Sequence, residues 1–187
     1  MSKSTVVLIV IVAVIGVFGL TLMSSYNGLV ALSEQVNGKW SQIDTMLQRR
    51  ADLIPNLVNT VKGFAAQEKS IIDSVTSARA KLAGAQGPVA RGEANSELTG
   101  ALSRLLVVVE NYPLLKSDKT FIGLMDELSG TENRIAVARR DYNEAVQSFN
   151  TRIKTFPTSL IAGMFGFTQK EYFRAAEGAQ QVPAVKF

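Results

Sequence analysis

The sequence predicts an all-α protein in which an N-terminal transmembrane helix is followed by an elongated helical bundle with a long first helix. Three observations carry this prediction. Residues 6–23 contain no charged side chain and are rich in Val, Ile and Leu, which is typical of a membrane-spanning helix. Much of the remaining chain repeats apolar residues every three or four positions, which is typical of amphipathic helices. The strict alternation expected of β-strands is absent from the sequence.

The apolar run at residues 6–23 is predicted to be an uncleaved signal anchor. Its length is at the lower end of what spans a bilayer. A cleaved signal peptide is the alternative, because Lys3 precedes the run, but no Ala-x-Ala-like cleavage site follows it. Lys3 lies before the run and the first charge after it is Glu34, so the positive-inside rule predicts a cytoplasmic N-terminus at residues 1–5. We expect a single-pass protein of the cell (inner) membrane, with a periplasmic or extracellular bundle at residues 24–178 and an extended tail at residues 179–187.

Residues 26–82 are predicted to form one amphipathic helix, because the three–four spacing of apolar residues continues through the whole stretch. At 1.5 Å per residue this helix would be about 85 Å long. Pro55 lies inside it and removes one hydrogen bond. The spacing stays in phase on both sides of Pro55, so we expect a kinked but continuous helix.

Two polar residues, Arg50 and Glu68, occupy positions on the apolar seam of this helix. Each needs a partner if it is buried, because an unpaired charge in a core is very costly. Asp44, Asp52 or an acid on another helix could serve Arg50.

The later helices are bounded by turn residues. A turn at residues 84–88 is followed by a helix from about Ala90 to Tyr112, and another helix runs from about Asp118 to Phe156, since a proline follows each of the last two positions. Residues 168–171 have the pattern of a capping box, which predicts a short helix that Gly178 would close.

Residues 160–167 are apolar and glycine-rich, and they are too few to cross a bilayer. Three placements are open: packing over the end of the bundle, contact between subunits, or insertion into the membrane surface. An exposed patch of this size usually marks a contact. The interaction candidates in this segment are Leu160, Met164, Phe165 and Phe167.

Composition excludes several classes of function. The chain contains no His and no Cys, which removes a Ser-His-Asp triad, thiol catalysis and His- or Cys-based metal sites. No phosphate-binding glycine loop is present, and a net charge of +4 is too mild to indicate a nucleic-acid partner. A Ser-Lys dyad and a pair of carboxylates remain, without recognisable spacing. We therefore expect that the protein is not an enzyme and that it has no catalytic residue, no metal site and no cofactor.

A charged cluster at Asp44, Arg49, Arg50 and Asp52 is the strongest candidate for a specific site. Asp52 lies three residues from Arg49, within pairing reach on a helix. The cluster is either an ion-pair network that sets helix register near Pro55 or a binding site. The same choice, core residue or ligand platform, applies to Trp40, the single tryptophan.

A set of motifs along nearly the whole chain carries a family resemblance. The most specific is the run Arg49-Arg50-x-Asp52-Leu53-Ile54-Pro55-Asn56-Leu57-Val58. It is accompanied by Tyr26-Asn27-x-Leu29-Val30, Trp40-x-x-Ile43-Asp44, Glu110-x-Tyr112-Pro113-x-Leu115-Lys116, Glu132-x-x-Ile135-x-x-Ala138-Arg139-x-x-Tyr142-Asn143 and Phe165-Gly166-Phe167. On these motifs the chain resembles the LemA proteins.

The resemblance implies a membrane helix followed by an extracytoplasmic, antiparallel four-helix bundle. It implies no activity, because the family lacks an agreed biochemical function. LemA-like proteins look like companions of other membrane proteins, including HtpX-like membrane metalloproteases.

Long apolar seams and few reactive groups favour a membrane-anchored scaffold or adaptor that forms a homo-oligomer, binds a partner envelope protein, or does both. The alternative is a sensor that binds envelope lipid or polymer and signals through its anchor.

Overall fold

The structure is a computed structural model that describes residues 2–174. All regular secondary structure within these residues is helical, which confirms the all-α fold. The helices are α1 (Lys3–Phe64), α2 (Lys69–Gly84), α3 (Gly87–Val109), α4 (Pro113–Lys116), α5 (Lys119–Lys154) and α6 (Thr158–Phe165).

The described residues divide into two compact units. The first unit contains residues 2–38 and 144–170, and the second contains residues 39–143 and 171–174. Helices α1 and α5 therefore contribute to both units, whereas α2, α3 and α4 belong to the second unit and α6 to the first.

The apolar run forms the first part of α1, which continues as one helix of 62 residues. Within the described part of the chain, α1 is the one helix long and apolar enough to cross a membrane by length and composition. None of its most apolar window is buried inside the protein.

Helix α1 continues through Pro55, as expected, but the prediction of one helix to residue 82 is wrong. Helix α1 ends at Phe64 and α2 begins at Lys69. A continuous helix would carry the Glu68 carboxylate inward on the seam. At the turn, Glu68 is instead half-buried and accepts a hydrogen bond of 2.8 Å from the Tyr112 hydroxyl. Since both helices keep a three–four spacing, the apolar pattern alone does not reveal the turn.

The second unit is a bundle in which α1 and α5 run antiparallel. Lys39 pairs with Asp141 at 3.2 Å, and Arg49, later on α1, pairs with Glu127, earlier on α5. Helices α2 and α3 are likewise antiparallel. Ser74, early on α2, contacts Arg104, late on α3, whereas Lys81, late on α2, contacts Glu97, early on α3.

These helices share an apolar core. It includes Ile43, Leu47, Ile54, Leu57, Val61, Ile72, Val75, Leu82, Leu98, Leu105, Leu115, Phe121, Leu128 and Ile135.

The ends of α3 and α5 follow local chemistry. Helix α3 begins at Gly87, three residues earlier than the predicted start at Ala90. Gly87 has a φ of 78°, which glycine adopts readily, and Pro88 follows it in the first helical turn. The carboxylate of Asp118 accepts a hydrogen bond of 2.9 Å from the backbone N–H of Phe121, which caps α5 where the sequence predicted its start. Helix α5 ends at Lys154, two residues before the predicted end at Phe156, whose side chain is 76% exposed.

In the first unit, α6 packs one face and exposes the other. The buried face consists of Thr158, Ile161 and Ala162. Helix α6 ends at Phe165 and is followed by Gly166, whose φ of 74° is the left-handed conformation of a helix cap. The ring of Tyr26 on α1 lies 4.7 Å from that of Phe165, measured between centroids.

The chain after α6 is not helical up to residue 174, so the capping-box helix predicted from residue 168 is wrong there. In the first unit the side-chain amide of Asn150 accepts a hydrogen bond from the backbone N–H of Lys170 and donates one to its carbonyl oxygen, at 2.8 and 2.9 Å. In the second unit Asn143 holds Phe173 in the same way, at 2.9 and 3.1 Å. The predicted helix end at Gly178 and the tail at residues 179–187 lie outside the described residues.

Candidate interaction surfaces

Arg50 is a buried charge, with 3% of its surface exposed. Its Nη1 lies against the carboxylate of Glu132 on α5 and donates a hydrogen bond to Oδ1 of Asn95 on α3. Burial lowers the pKa of the Arg50 guanidinium, and the negative charge of Glu132 opposes that shift. Of the partners that the sequence left open, the structure uses an acid on another helix.

A cleft of about 290 Å³ borders this ion pair between α3 and α5. The hydroxyls of Thr99, Ser103 and Ser129 belong to its lining. Nε of Arg50 has no hydrogen-bond acceptor among residues 2–174. Such a donor is uncommon, because buried polar groups are normally hydrogen-bonded.

The other charges of the cluster point to different helices. Asp44 pairs with Arg91 on α3 at 2.7 Å, and Arg49 pairs with Glu127 on α5. Asp52, which the spacing had placed within reach of Arg49, accepts a hydrogen bond of 2.9 Å from Gln48. The four residues thus do not converge on one point. The contacts of Asp44, Arg49 and Arg50 connect α1 to α3 and α5, whereas the contact of Asp52 stays within α1.

Pro55 is exposed, and it affects how α1 is hydrogen-bonded to α2. A proline lacks the N–H that would bond to the carbonyl oxygen four residues earlier, which here belongs to Ala51. That oxygen accepts a hydrogen bond of 3.2 Å from Nε of Arg79 on α2. The proline therefore leaves an acceptor available that fastens α1 to α2.

Trp40 is half-buried in the second unit. Its ring lies 5.7 Å from that of Tyr142 and 6.2 Å from that of Phe173. The Tyr142 hydroxyl donates a hydrogen bond of 2.8 Å to the carbonyl oxygen of Glu171. Burial, and secondarily the charge of Glu171, raises the pKa of Tyr142 to about 12.

The candidates on α6 and beyond it lie in the first unit. Leu160, Met164 and Phe165 are 58%, 74% and 59% exposed. Phe167 is half-buried, and its ring lies 5.9 Å from Tyr26 and 6.3 Å from Phe149.

Sequence reasoning missed two sets of residues. Glu132 and Asn95 are the partners of Arg50, and Asn143 and Asn150 hold the segment after α6. Glu132 and Asn143 stand in the family motifs, but the motifs do not indicate these contacts, because each contact is to a residue far away in the sequence. A groove of about 350 Å³ between α1 and α5 was also missed. It is lined by Gln42, Met46, Asn133, Arg134, Val137, Ala138 and Asp141.

Comparison with known proteins agrees with the motifs. The model of the LemA family matches residues 39–187. Magnetosome protein MamQ 2 of Paramagnetospirillum magneticum is 32% identical over 202 aligned positions, which cover 93% of this chain and 74% of the relative. Magnetosome protein MamQ of Magnetospirillum gryphiswaldense is 31% identical over 92% of this chain and 74% of its own. Protein LemA of Metamycoplasma hominis is 26% identical, with 87% of this chain and 75% of the relative covered. The chain belongs to the LemA family.

Proposed function

We propose that the chain is a membrane-anchored helical scaffold of the bacterial envelope, without catalysis of its own, that assembles with its own copies, with a partner membrane protein, or with both. In this proposal residues 6–23 are the anchor and residues 24–178 form the bundle outside the cytoplasm. The continuity of α1 supports it, because one helix carries both the apolar run and part of the bundle. The names of the relatives state a location or a family, and no reaction.

The groove between α1 and α5, here called the α1–α5 groove, is the observation that carries the proposal. Val137, which lines the groove from α5, is 53% exposed, and Met46 lines it from α1. Arg134, Val137 and Asp141 follow one another at helical spacing along α5. A stripe of this kind is suited to the apolar face of another helix.

The charges along the α1–α5 groove favour a second copy as the first occupant. Arg134 and Asp141 lie seven residues apart, two helical turns, with Val137 between them. Two copies of this stripe placed antiparallel would bring Arg134 of each opposite Asp141 of the other, whose carboxylate also pairs with Lys39 of its own chain at 3.2 Å. Such self-complementary pairing is what a two-fold interface requires.

The first measurement is the native mass of the full-length protein, extracted gently from its own membrane, with co-purifying proteins identified. A homogeneous homo-oligomer, or a stoichiometric complex with a second protein, would support the scaffold. A bare monomer would overturn it.

A pair of variants then locates the interface. We expect Val137→Glu to abolish assembly, because it places a charge in the centre of an apolar groove. Val107→Glu is the matched control, since Val107 is 72% exposed on α3 and outside the groove. Equal assembly of both variants would exclude the α1–α5 groove as the contact.

A further inference from the structure

An apolar patch stands exposed at the end of α5 and on α6. Phe156, Leu160, Met164 and Phe165, here called the α5–α6 patch, are between 58% and 76% exposed. These side chains are large, and the buried face of α6 does not need them, because Thr158, Ile161 and Ala162 already pack it. Large apolar side chains exposed within one short segment usually mark a contact.

The position of the α5–α6 patch in the first unit indicates which partner. Pro157, next to Phe156, borders a groove of about 530 Å³ whose opposite wall is the apolar run from Val10 to Thr21. Phe165 packs on Tyr26, three residues after the end of that run. The patch therefore lies at the level where the apolar run ends, which is where a membrane would meet water.

The charge around the α5–α6 patch is positive. Residues 145–170 contain Arg152, Lys154 and Lys170 and no acidic residue. Arg152 and Lys154 are exposed in the last turn of α5 and form no ion pair within residues 2–174. Arg152 also lines a cleft with Leu20 and Ser24, beside the end of the apolar run. Cations at this level are placed to meet lipid phosphates.

We propose that the α5–α6 patch is a second membrane contact, which inserts its four apolar side chains into the leaflet facing the bundle and binds anionic phospholipid headgroups through Arg152 and Lys154. This inference rests on the anchor of the proposed function. Apolar insertion combined with attraction of basic side chains to anionic lipid is how interfacial helices bind membranes. The contact would hold the first unit against the bilayer at a point away from the span.

Spin-label accessibility tests this inference, since the chain contains no cysteine and single cysteines can be introduced without background. The full-length protein is labelled at Met164→Cys, Val14→Cys or Val107→Cys and placed in vesicles of phosphatidylcholine and phosphatidylglycerol in equal amounts. We expect the labels at positions 14 and 164 to lose collisions with a water-soluble nickel complex and to keep collisions with oxygen. The label at position 107 should collide with both.

Each of the other possible results would contradict the proposed membrane contact for a different reason. Nickel collisions at position 164 equal to those at position 107 would place the patch in water and leave the anchor intact. Loss of both collisions at position 164 would show a protein contact between copies. Nickel collisions at position 14 would refute the anchor, and the patch with it.

A second experiment tests whether Arg152 and Lys154 bind the anionic headgroups. Replacing phosphatidylglycerol by phosphatidylcholine should weaken the protection of position 164, and Arg152→Gln/Lys154→Gln should abolish this dependence on lipid charge. Lys62→Gln/Lys69→Gln, which removes two exposed lysines elsewhere, is the control. An equal response of the two double variants would overturn the role of Arg152 and Lys154.

Discussion

Arg50 and Glu132 form an asymmetric ion pair, because the arginine side chain is 3% exposed and the glutamate side chain 38%. The cost of breaking the pair therefore depends on which partner is removed. Without Glu132, a charge is left buried with no counter-charge. Without Arg50, the carboxylate that remains can still be solvated.

We expect Glu132→Gln to destabilise the bundle by about 3 kcal/mol, the cost of an uncompensated buried charge. Arg50→Met keeps much of the side-chain volume and should cost only about 1 kcal/mol. Thermal unfolding in detergent, followed by circular dichroism, measures both. The double variant should resemble Arg50→Met, and a milder effect of Glu132→Gln than of Arg50→Met would contradict this account.

The raised pKa of Tyr142 predicts a loss of stability in alkali. The folded protein favours the protonated hydroxyl, since the pKa is about 12 instead of the ordinary 10.0. The stabilisation from this group is therefore complete below pH 10 and is lost as the pH rises to about 12. Tyr142→Phe should be less stable than the parent at pH 9, and the difference should shrink through this window. A difference that stays constant with pH would refute the assignment.

At the scale of elements, Pro55 and Arg79 should be coupled through the carbonyl oxygen of Ala51. We expect Arg79→Met to cost about 1–2 kcal/mol when residue 55 is proline, because a hydrogen bond from a charged donor is lost. In the Pro55→Ala background the new N–H can satisfy the same oxygen, so the cost should be smaller. A double-mutant cycle measures the coupling. Identical costs in the two backgrounds would show that the proline plays no part in fastening α1 to α2.

Helix α3 offers a second comparison between elements. A Cβ at Gly92 would lie 2.5 Å from the carbonyl oxygen of Arg174, whereas one at Gly100 on the same helix meets nothing within 4 Å. Gly100→Ala should stabilise the protein by about 1 kcal/mol, the usual helical preference for alanine. Gly92→Ala should destabilise it and increase hydrogen exchange at the amide of Phe173. An equal gain in stability from both substitutions would mean that the backbone at Arg174 does not pack on α3.

At the scale of the whole molecule, the proposed anchor predicts a topology. A cysteine at exposed position 107 should react with a membrane-impermeant maleimide once the outer barrier of the cell is opened, and a cysteine replacing Ser4 should not. The reason is that Lys3, which this variant keeps, precedes the apolar run and should hold the N-terminus in the cytoplasm. Reaction at position 4 with protection at position 107 would reverse the proposed orientation.

The amino-acid sequence was enough to predict the helical class, the apolar run, the continuity of α1 through Pro55 and the position of Arg50 on the apolar seam of that helix. These follow from spacing and residue type over a few turns, where local interactions decide the outcome. The start of α5 at Asp118 belongs with them, because an N-cap is a contact over three residues.

Three features depend on contacts that form only in the folded protein: where α1 turns back, which acid meets Arg50, and how the chain runs from α6 to residue 174. Arg50 had acceptable partners close by in sequence, and Glu132 was selected by the packing of α5 on α1. The capping box at residues 168–171 offered a cap worth about 1 kcal/mol. Against it stand the burial of Phe173 and two asparagine side chains, each of which hydrogen-bonds both the backbone N–H and the carbonyl oxygen of one residue, Lys170 or Phe173. Contacts between residues distant in sequence outweigh local preference here, because they bury apolar surface as well as satisfy the backbone.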